Sequence, residues 1–483
     1  EETAELLGAN VTVANGTASI TLNGKSTEIE TENNNNINYI NAAGLEGLGL
    51  KVWQDMTTGT VVISKLTDEN NLDNMINSLC VYMSPNGNDN NQGTFNSPVN
   101  SFEKALQLAE ERPTPLGKHI YARGGRYEFK KGSTIEDEDN FSVEAYDGEE
   151  VIFSGSVKLN KNDFELLESG EAYNRLKKSA KGKIYKLNLK KYLTWVEGID
   201  NCGLYDYYNI YENDNQGQLG RWPDKTYAVE KPQSFNNGTT TIAFSGTDAA
   251  PWLDETKPYI GGYLDSSYAT VQKKLKMNSD YTGTVNMTVA NDGRPLYVYN
   301  MLHETDIPGE WYIESGILYY YPMYDLQNVE IAALKDDMFT VKNCNNVTFD
   351  RITIERTRGS GITAMSTSNM TVVNSSIKQI RGSGVSIAGG SDNTVENCEI
   401  FAVGESAVQV RAGNYHSLTN SNTNIKNCRI YDFSSNGNAS VAGIQIIASD
   451  VVTVDGCTIH DSPAHGISAT GSEIVIKNNE VYN

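Results

Sequence analysis

The sequence predicts an all-β protein whose larger part is a parallel β-helix, and two observations support this fold class. Matched positions recur at residues 352, 375, 398, 428, 457 and 479, so the spacings are 23, 23, 30, 29 and 22 residues. Short β-branched runs separated by Gly or Asn turns fill each interval. A period near 22 residues is typical of a solenoid, in which one rung cannot bury its apolar side alone and stacked rungs share a continuous core.

Two features of the repeats lead to further expectations. The longer spacings contain the loop insertions QVRAGNYHSLTNSNTN and SSNGNASV, which we expect to leave the solenoid from one face. Cys398, Cys428 and Cys457 occupy one matched position, with Ser375 and Asn479 in the same column. Free Cys commonly packs as a small apolar residue, so the sequence predicts a column of inward, unpaired thiols.

The segments before the repeats differ in pattern. Residues 1–66 alternate polar and apolar residues, with hairpin turns at Asn15-Gly16 and Asn23-Gly24 and a short helix, which predicts a small α+β module. The pieces INAAGLEGLGLKVWQD and TGTVVIS resemble the copper amine oxidase N-terminal-like module common on bacterial cell-surface proteins. This resemblance implies a stalk or attachment role. Residues 67–78 are a polar linker.

The predicted β-helix begins at residues 79–185, with a helix capped by Ser101 that ends at Pro113. Residues 186–330 are rich in Tyr and Trp and predict a β-rich insertion. Residues 331–483 hold the repeats, and because Asn483 falls within a rung we expect the solenoid to continue beyond it.

The block IPGEWYIESGILYYYP at residues 307–322 predicts a hairpin that turns at Glu314-Ser315-Gly316, because Gly tolerates positive φ. We expect one face of this hairpin to pack on the β-helix and the other to meet solvent or a neighbouring loop. A structural hairpin makes Glu310 and Glu314 poor catalytic candidates.

The composition restricts the partners. A net charge of −22 argues against nucleic acid and anionic membrane surfaces, whereas neutral glycans suit such a surface. No stretch approaches eighteen consecutive apolar residues, so no membrane span is expected. The six Cys show no zinc spacing, and no metal site is expected. The start EETAELL indicates a mature secreted form, which predicts an extracellular or cell-surface location.

Parallel β-helices place chemistry on an outer face, where neighbouring rungs bring carboxylates within about 5–10 Å of each other. Titratable residues follow the strands of successive repeats, and the structural alternative is that they are solvated turn residues. Glu405 and Asp461 are the strongest candidates because each lies in a Gly- or Pro-bounded turn beside other titratable groups. The remaining members of this series are Arg356, Arg358, Arg381, Asp432, His460 and His465.

Residues from about 80 to 483 resemble the right-handed parallel β-helix enzymes of glycoside hydrolase families 141 and 120. The blocks that carry this resemblance are YMSPNGNDNNQGT, LGRWPD, NMLHETDIPGEWYIESGILYYYP and TIHDSPAHGI. The resemblance implies an extracellular enzyme that cleaves xylan-like or pectin-like glycans with two carboxylates and no metal. It places Glu405, His460 and Asp461 on the family's motif positions.

Three functions therefore stay open. A glycoside hydrolase would use Glu405, Asp461 and His460 in catalysis, and its substrate-binding residues would be Arg381, Arg411, Asp432, His465 and Trp222. A polysaccharide lyase or epimerase on the same scaffold would use Arg381 with Arg411, or calcium bridged to a uronate; no other cofactor is expected. A non-catalytic surface, adhesive or array-forming protein is favoured by AGNY at 412–415, which departs from the family's pattern.

Overall fold

The structure is a computed structural model that describes residues 79–112, 117–196, 198–199, 208–414, 416–437 and 441–483, together with residue 48 and six strands of the N-terminal region. Contacts divide the chain into two compact units. Unit 1 comprises residues 1–125, 138–150 and 345–350, and unit 2 comprises residues 126–137, 151–344 and 351–483.

The N-terminal region contains an antiparallel sheet of order β1-β2-β3-β4 and a separate β5-β6 hairpin. The pairs Ala14–Thr17 and Leu22–Lys25 close the first two hairpins. The predicted turn residues 15–16 and 23–24 and most of the predicted helix lie outside the described residues. The strands are β1 (Asn10–Ala14), β2 (Thr17–Leu22), β3 (Lys25–Asn34), β4 (Ile37–Ile40), β5 (Leu50–Gln54) and β6 (Val61–Lys65).

The rest of unit 1 is a parallel sheet of order β31-β11-β8-β7 with a helix, α1, packed on β7 and β8. Ser101 caps the helix as predicted, because its hydroxyl accepts a hydrogen bond from the backbone N–H of Lys104 at 3.2 Å. The predicted stop at Pro113 lies outside the described residues. The elements are β7 (Val81–Met83), α1 (Phe102–Glu111), β8 (Lys118–Ala122), β11 (Asp139–Ala145) and β31 (Asn345–Asp350).

Unit 2 contains two long parallel sheets, and the fold is a right-handed parallel β-helix, as the sequence predicts. The first sheet has the order β10-β30-β33-β36-β39-β42-β40-β37-β34, with β44 paired to β42. Its strands are β10 (Ser133–Glu136), β30 (Phe339–Lys342), β33 (Ile362–Met365), β34 (Ser368–Val373), β36 (Val385–Ala388), β37 (Thr394–Glu396), β39 (Val408–Arg411), β40 (Thr423–Lys426), β42 (Ala442–Asp455) and β44 (His465–Lys477).

The second sheet has the order β45-β43-β41-β38-β35-β32-β12-β9. The predicted repeat register is confirmed, because Ile377, Ile400, Ile430 and Ile459 are paired in one buried column. The strands are β9 (Gly125–Glu128), β12 (Val151–Ser154), β32 (Ile352–Glu355), β35 (Ser376–Ile380), β38 (Glu399–Val403), β41 (Arg429–Tyr431), β43 (Thr458–His460) and β45 (Glu480–Tyr482).

The predicted thiol column is also confirmed. Cys398, Cys428 and Cys457 are buried, and none of the three forms a disulfide with another described residue. The thiols of Cys398 and Cys428 each lie 3.2 Å from the carbonyl oxygen two residues earlier in the chain. Ser375 makes the same contact to Val373 at 2.7 Å, which explains how Ser and Cys share one column.

The two loop insertions leave from different turns, so the expectation of a single face was wrong. One insertion lies between β39 and β40, and the other lies between β41 and β42. A rung contains several turns, and the sequence spacing records only that a rung is longer, not which of its turns has grown.

The large insertion occupies one turn of the β-helix, between β12 and β30. It forms three sheets, of orders β13-β29-β16-β17, β14-β15-β28-β27-β18 and β19-β26-β23-β24-β25-β22-β21, with β20 paired to β26. Strands β13 and β14 precede residue 186, where the sequence predicts the insertion to begin, and β15 spans it. β13 pairs with β29 and β15 pairs with β28, in each case more than a hundred residues later in the chain. This non-local pairing leaves no periodic pattern.

The insertion also contains helix α2 and three short 3-10 helices, at Lys161–Asp163, Leu189–Lys191 and Ala250–Asp254. Its elements are β13 (Ser156–Leu159), β14 (Glu165–Leu166), α2 (Glu171–Arg175), β15 (Tyr185–Asn188), β16 (Asn209–Glu212), β17 (Asn215–Gln216), β18 (Gln218–Leu219), β19 (Arg221–Trp222), β20 (Ala228–Glu230), β21 (Pro232–Asn236), β22 (Thr239–Ile242), β23 (Tyr259–Gly262), β24 (Val271–Met277), β25 (Gly283–Val285), β26 (Arg294–Tyr299), β27 (Glu310–Glu314), β28 (Ile317–Tyr320) and β29 (Val329–Ala332).

The predicted aromatic hairpin is β27-β28, which pairs antiparallel from Trp311–Tyr320 to Glu314–Ile317. Both of its faces are buried: Trp311 joins one apolar cluster of the insertion, and Tyr312 joins another. Glu310 is fully buried, and it accepts hydrogen bonds from the backbone N–H groups of Asp306 and Ile307 at 2.9 and 3.1 Å. Burial raises the pKa of Glu310 to about 8. Its carboxyl closes a turn and has no access to a substrate.

Candidate active site

The turns that lead from the second sheet to the first sheet are stacked along the β-helix, and we call them the turn column. The turn column comprises residues 356–361, 379–384, 402–407, 432–437 with 441–443, and 461–466. Strand register sets these matches, so each turn repeats the same positions one rung, about 4.8 Å, from the next. The large insertion fills this same turn one rung before Arg356 and therefore stands beside the turn column.

The first position of the turn column holds Arg356, Gln379, Ala402, Asp432 and Asp461, all of them with φ between 50° and 58°. This left-handed conformation turns the chain at or next to the end of each strand. Because φ is nearly the same in every rung, the five residues differ mainly in their side chains and surroundings.

In the two lower rungs this position is joined to the insertion. The Arg356 guanidinium pairs with Asp214 of the β16-β17 turn and stacks over the Tyr211 ring at 4.5 Å. The amide of Gln379 accepts a hydrogen bond from Arg356 Nε at 2.8 Å and donates one to the carbonyl of Asp214 at 2.8 Å. These residues bind protein groups and do not face a ligand.

Glu330 of β29 completes this buried network. Its carboxylate accepts hydrogen bonds from Arg126 at 2.5 Å, from Ser156 at 2.6 Å and from Arg356 at 2.6 Å. Burial raises the pKa of Glu330, but the guanidinium groups of Arg126 and Arg356 outweigh burial and hold the pKa below its usual value. The network is therefore ionised and fixes the insertion to the β-helix.

In the two upper rungs the same position carries Asp432 and Asp461, which are both exposed. The Asp461 carboxylate accepts hydrogen bonds from His460 Nδ1 at 2.8 Å and from Asn483 Nδ2 at 3.1 Å, and these bonds lower its pKa. Partial burial of the Asp432 carboxyl raises its pKa, and the charge of Asp461 raises it further. Neighbouring carboxyls with opposite pKa shifts are the arrangement that separates an acid from a base or nucleophile.

Glu405 is the fourth residue of the middle turn of the turn column, residues 402–407. The exposed Glu405 carboxylate accepts a hydrogen bond from Ser383 at 3.3 Å, and its carbonyl accepts one from the N–H of Ser434. Arg381 is 8% exposed, and its carbonyl accepts a hydrogen bond from Asn436 at 3.0 Å. The structure thus brings Glu405, Asp432 and Asp461 together on one column, with Arg381 one rung below Glu405.

An aromatic ladder supports the upper rungs. Phe401, Tyr431, His460 and Tyr482 stack with ring centroids 4.7, 5.1 and 5.0 Å apart and planes within 6°. His460 is 7% exposed and held between two Tyr rings, so its Nδ1 is fixed toward Asp461. The stacked rings cover one another's faces, so the ladder positions Asp461 and offers little flat surface to a sugar.

A cleft lies between the insertion and the upper part of the turn column, and we call it the tyrosine cleft. Its insertion side carries Tyr227, Tyr263, Tyr268 and Tyr297, and its β-helix side carries residues 434–437, 463 and 464. Sequence reasoning identified the Tyr-rich insertion but none of these residues as a site. The one available signal was YIGGYLDSSY, which has no period and therefore gives no orientation for its rings.

Trp222 and Arg411 lie apart from Glu405 and the aspartates, whereas His465 belongs to the last turn of the turn column. Trp222 packs against Trp252, with centroids 5.6 Å apart, in the interior of the insertion. Arg411 is exposed at the end of β39, one strand beyond the turn column. His465 is exposed at the end of the last turn, where β44 begins. The structure does not bring Trp222 or Arg411 to the carboxylates.

Within the described residues, no group of three or more His, Cys, Asp or Glu side chains is arranged to hold a metal ion. No helix among them is long and apolar enough to cross a membrane.

Comparisons with known proteins agree with the fold. The family described as right handed beta helix region matches residues 311–441. No curated protein matches the chain. Among solved structures, the chain is similar to one titled "Glycoside hydrolase" at 13% identity and a TM-score of 0.53, with 83% of this chain and 94% of that chain covered.

Two other solved structures show weaker similarity. XylC in complex with xylose aligns at 13% identity and a TM-score of 0.45, with 83% of this chain and 63% of that chain covered. A rhamnogalacturonan lyase aligns at 10% identity and a TM-score of 0.31, with 84% of this chain and 62% of that chain covered. The chain therefore spans less than two thirds of either protein.

Proposed function

We propose that this protein is a glycoside hydrolase in which Asp432 and Asp461 are the two catalytic carboxyl groups. The observation that carries the proposal is the pairing of two exposed aspartates at one turn position, on successive rungs, with opposite pKa shifts. The tyrosine cleft beside them supplies a place for a glycan, and the likeness to a glycoside hydrolase fold is compatible with this reaction.

The two aspartates take different roles. Asp461, kept ionised by His460 and Asn483, attacks the anomeric carbon, and Asp432 gives its proton to the leaving glycosidic oxygen. Asp432 then removes a proton from a water molecule that attacks the same carbon and releases Asp461. One rung, about 5 Å, separates the two positions, which matches the carboxyl spacing of retaining glycosidases. His460 is a positioning residue in this scheme.

Substitution of each aspartate tests the assignment. Asp432→Asn and Asp461→Asn should each lower the rate of reducing-sugar release from the best substrate of a polysaccharide panel by about 100-fold or more. The wild-type rate should follow a bell-shaped pH profile, falling as pH drops through the lowered pKa of Asp461 and as it rises through the raised pKa of Asp432. The matched control is Asp455→Asn, because Asp455 accepts a hydrogen bond from Asn478 as Asp461 does from Asn483, but in another turn. Equal activity of all three variants would contradict the assignment of Asp432 and Asp461 as the catalytic carboxyl groups.

Glu405 with Asp461 is the competing pair. Glu405 lies two rungs below Asp461, about 10 Å along the axis, which is closer to the carboxyl spacing of inverting than of retaining glycosidases. NMR of the first-formed anomer separates the pairs: retention with an active Glu405→Gln variant supports Asp432, whereas inversion with an inactive Glu405→Gln variant supports Glu405. An unsaturated product that absorbs in the ultraviolet would instead indicate the lyase alternative.

We also propose an extracellular or cell-surface location, with residues 1–66 serving as the attachment module. The support is the sequence of that module and its resemblance to surface proteins. Fractionation of the source cells, followed by mild protease treatment of intact cells, tests the location. Recovery of the protein solely from the cell interior would contradict it.

A further inference from the structure

The tyrosine cleft continues into a second cavity. The cleft has a volume of about 180 Å³, and the adjoining cavity has about 140 Å³. The two share Gln272 and Tyr297. Asn209, Gln216 and Gln218 line the far side of the second cavity. Each cavity has the space of roughly five or six waters, and the shared residues make the two cavities adjacent, which suits two linked small units better than one large ligand.

The rings of the first cavity form an open aromatic wall. Tyr227 lies 5.8 Å from both Tyr263 and Tyr297, measured between ring centroids. Tyr268 is 77% exposed and Tyr227 is 45% exposed, so parts of their surfaces are free to meet a ligand. A Tyr ring offers an apolar surface with a hydroxyl at its edge, which suits a molecule that has C–H groups on its face and hydroxyls around its rim.

Gln272 stands at the junction of the two cavities and is 7% exposed. Its Oε1 accepts a hydrogen bond from the Tyr299 hydroxyl at 2.7 Å. This bond fixes which end of the amide is bound to protein, and the amide nitrogen remains to donate to a ligand. An amide whose oxygen is held in this way presents its nitrogen in a fixed orientation, so it can serve as a specific polar contact for a ligand.

The polar groups of the first cavity carry no formal charge. They come from Thr270, Ser434, Ser435 and Asn436. The one cation beside the cavities is Arg221, and its guanidinium donates to the carbonyls of Pro223 and Thr226 at 2.9 and 2.6 Å. It also lies over the Tyr297 ring at 4.0 Å.

The exposed carboxylates of the turn column lie near this cleft. Pro463 lines it two residues after Asp461, and Ser434 lines it two residues after Asp432. A negatively charged ligand in the tyrosine cleft would meet these carboxylates, and the residues that line the cleft include no cation to offset them. The cleft therefore disfavours anionic ligands.

We propose that the tyrosine cleft and the adjoining cavity form two adjacent subsites for neutral pyranose residues and discriminate against uronates. The proposal rests on the proposed function in taking the bound molecule to be a glycan, but it does not depend on which carboxylates react. Sugar faces pack on Tyr227 and Tyr268, and the amide of Gln272 donates to a hydroxyl where the two sugar units join.

Titration calorimetry of the whole protein tests the proposal. The probes are neutral oligosaccharides of xylose, glucose, mannose and galactose units and an oligogalacturonide of equal length, added to wild type and to the Asp461→Asn variant, which limits turnover. We expect a neutral oligosaccharide to bind, and Tyr268→Ala and Gln272→Leu each to weaken its Kd by about tenfold. The matched control is Tyr281→Ala, because Tyr281 is 51% exposed on the insertion and lies outside both cavities.

The outcomes separate this inference from the proposed function. Tighter binding of the oligogalacturonide, unchanged binding by both cleft variants, or no binding by any probe would each overturn the inference. If the cleft variants weaken oligosaccharide binding and the protein cleaves none of the polysaccharides, the inference stands and the proposed hydrolase function is contradicted. Because Tyr268→Ala removes an exposed ring, the variant should unfold at the same temperature as wild type. A weaker Kd in this variant then reflects loss of a contact in the cleft and not loss of folding.

Discussion

The lower and upper rungs of the turn column use one backbone conformation for different purposes. In the lower rungs Arg356 and Gln379 are bound to the insertion through Asp214, Tyr211 and Glu330. In the upper rungs Asp432 and Asp461 are exposed. Since φ is the same throughout, the side chain and what covers it decide whether a rung anchors the insertion or faces solvent.

This difference follows from where the insertion starts. The insertion starts at the turn one rung before Arg356, so β16 and β17 lie over the next two rungs. They contact Gln379 and bury the Arg356 guanidinium. Its contact with the upper part is the bond from Thr270 to the carbonyl of Gly437, and the tyrosine cleft lies beside this contact. The lower rungs therefore contribute stability, and the upper rungs carry the candidate chemistry.

The largest effect is expected from breaking the lower network. Glu330→Leu removes the acceptor shared by Arg126, Ser156 and Arg356, and it should lower the free energy of unfolding by about 3–5 kcal/mol because buried guanidinium groups lose their counter-charge. Urea denaturation measures this loss. Glu399→Gln is the control, since it breaks an exposed pair with Arg429 and should cost less than about 1 kcal/mol. Similar losses for both would show that the lower network is not an anchor.

A smaller effect is expected from His460→Phe, which keeps a stacked ring but removes the hydrogen bond to Asp461. The pKa of Asp461 should rise toward its ordinary value, so activity on the acidic side should be lost at a higher pH than in wild type. The pH profile of kcat/KM measures the shift. Tyr482→Phe keeps the ladder and that hydrogen bond and should leave the profile unchanged. An unshifted acidic limb in His460→Phe would mean that His460 does not tune Asp461.

The smallest effect is expected in the thiol column, which is common to lower and upper rungs. Cys428→Ser should change the free energy of unfolding by less than about 1 kcal/mol, because Ser375 already makes the equivalent bond two positions away in the same column. Cys428→Leu should cost about 1–3 kcal/mol through overpacking. Thermal and urea unfolding measure both. A larger loss of unfolding free energy for Cys428→Ser than for Cys428→Leu would contradict the view that side-chain size determines which residues fit the column.

The sequence predicted the features that repeat and missed those that depend on one distant pairing. The register of Ile377, Ile400 and Ile430 and the inward thiols follow from the period, because each rung imposes the same environment on its matched positions. The same repeats placed Glu405, Asp432 and Asp461 in neighbouring turns. The tyrosine cleft depends on the pairing of strands such as β19 with β26, and on the approach of this sheet to turn residues 434–437 much later in the chain. No local pattern encodes which ring faces the cleft. The half-buried position of Trp222 against an apolar cluster of the insertion has the same cause.

Ala402 has a consequence for changing the protein. It sits in the column directly below Asp432, with the φ of 52° that Asn and Asp adopt more readily than Ala does. The solenoid has approximate translational symmetry along its axis, and an aspartate at residue 402 would reproduce the relation between Asp432 and Asp461 one rung lower. A pair of reactive carboxyl groups in this architecture can thus be moved along the axis by one rung at a time, without redesign of the backbone that carries it.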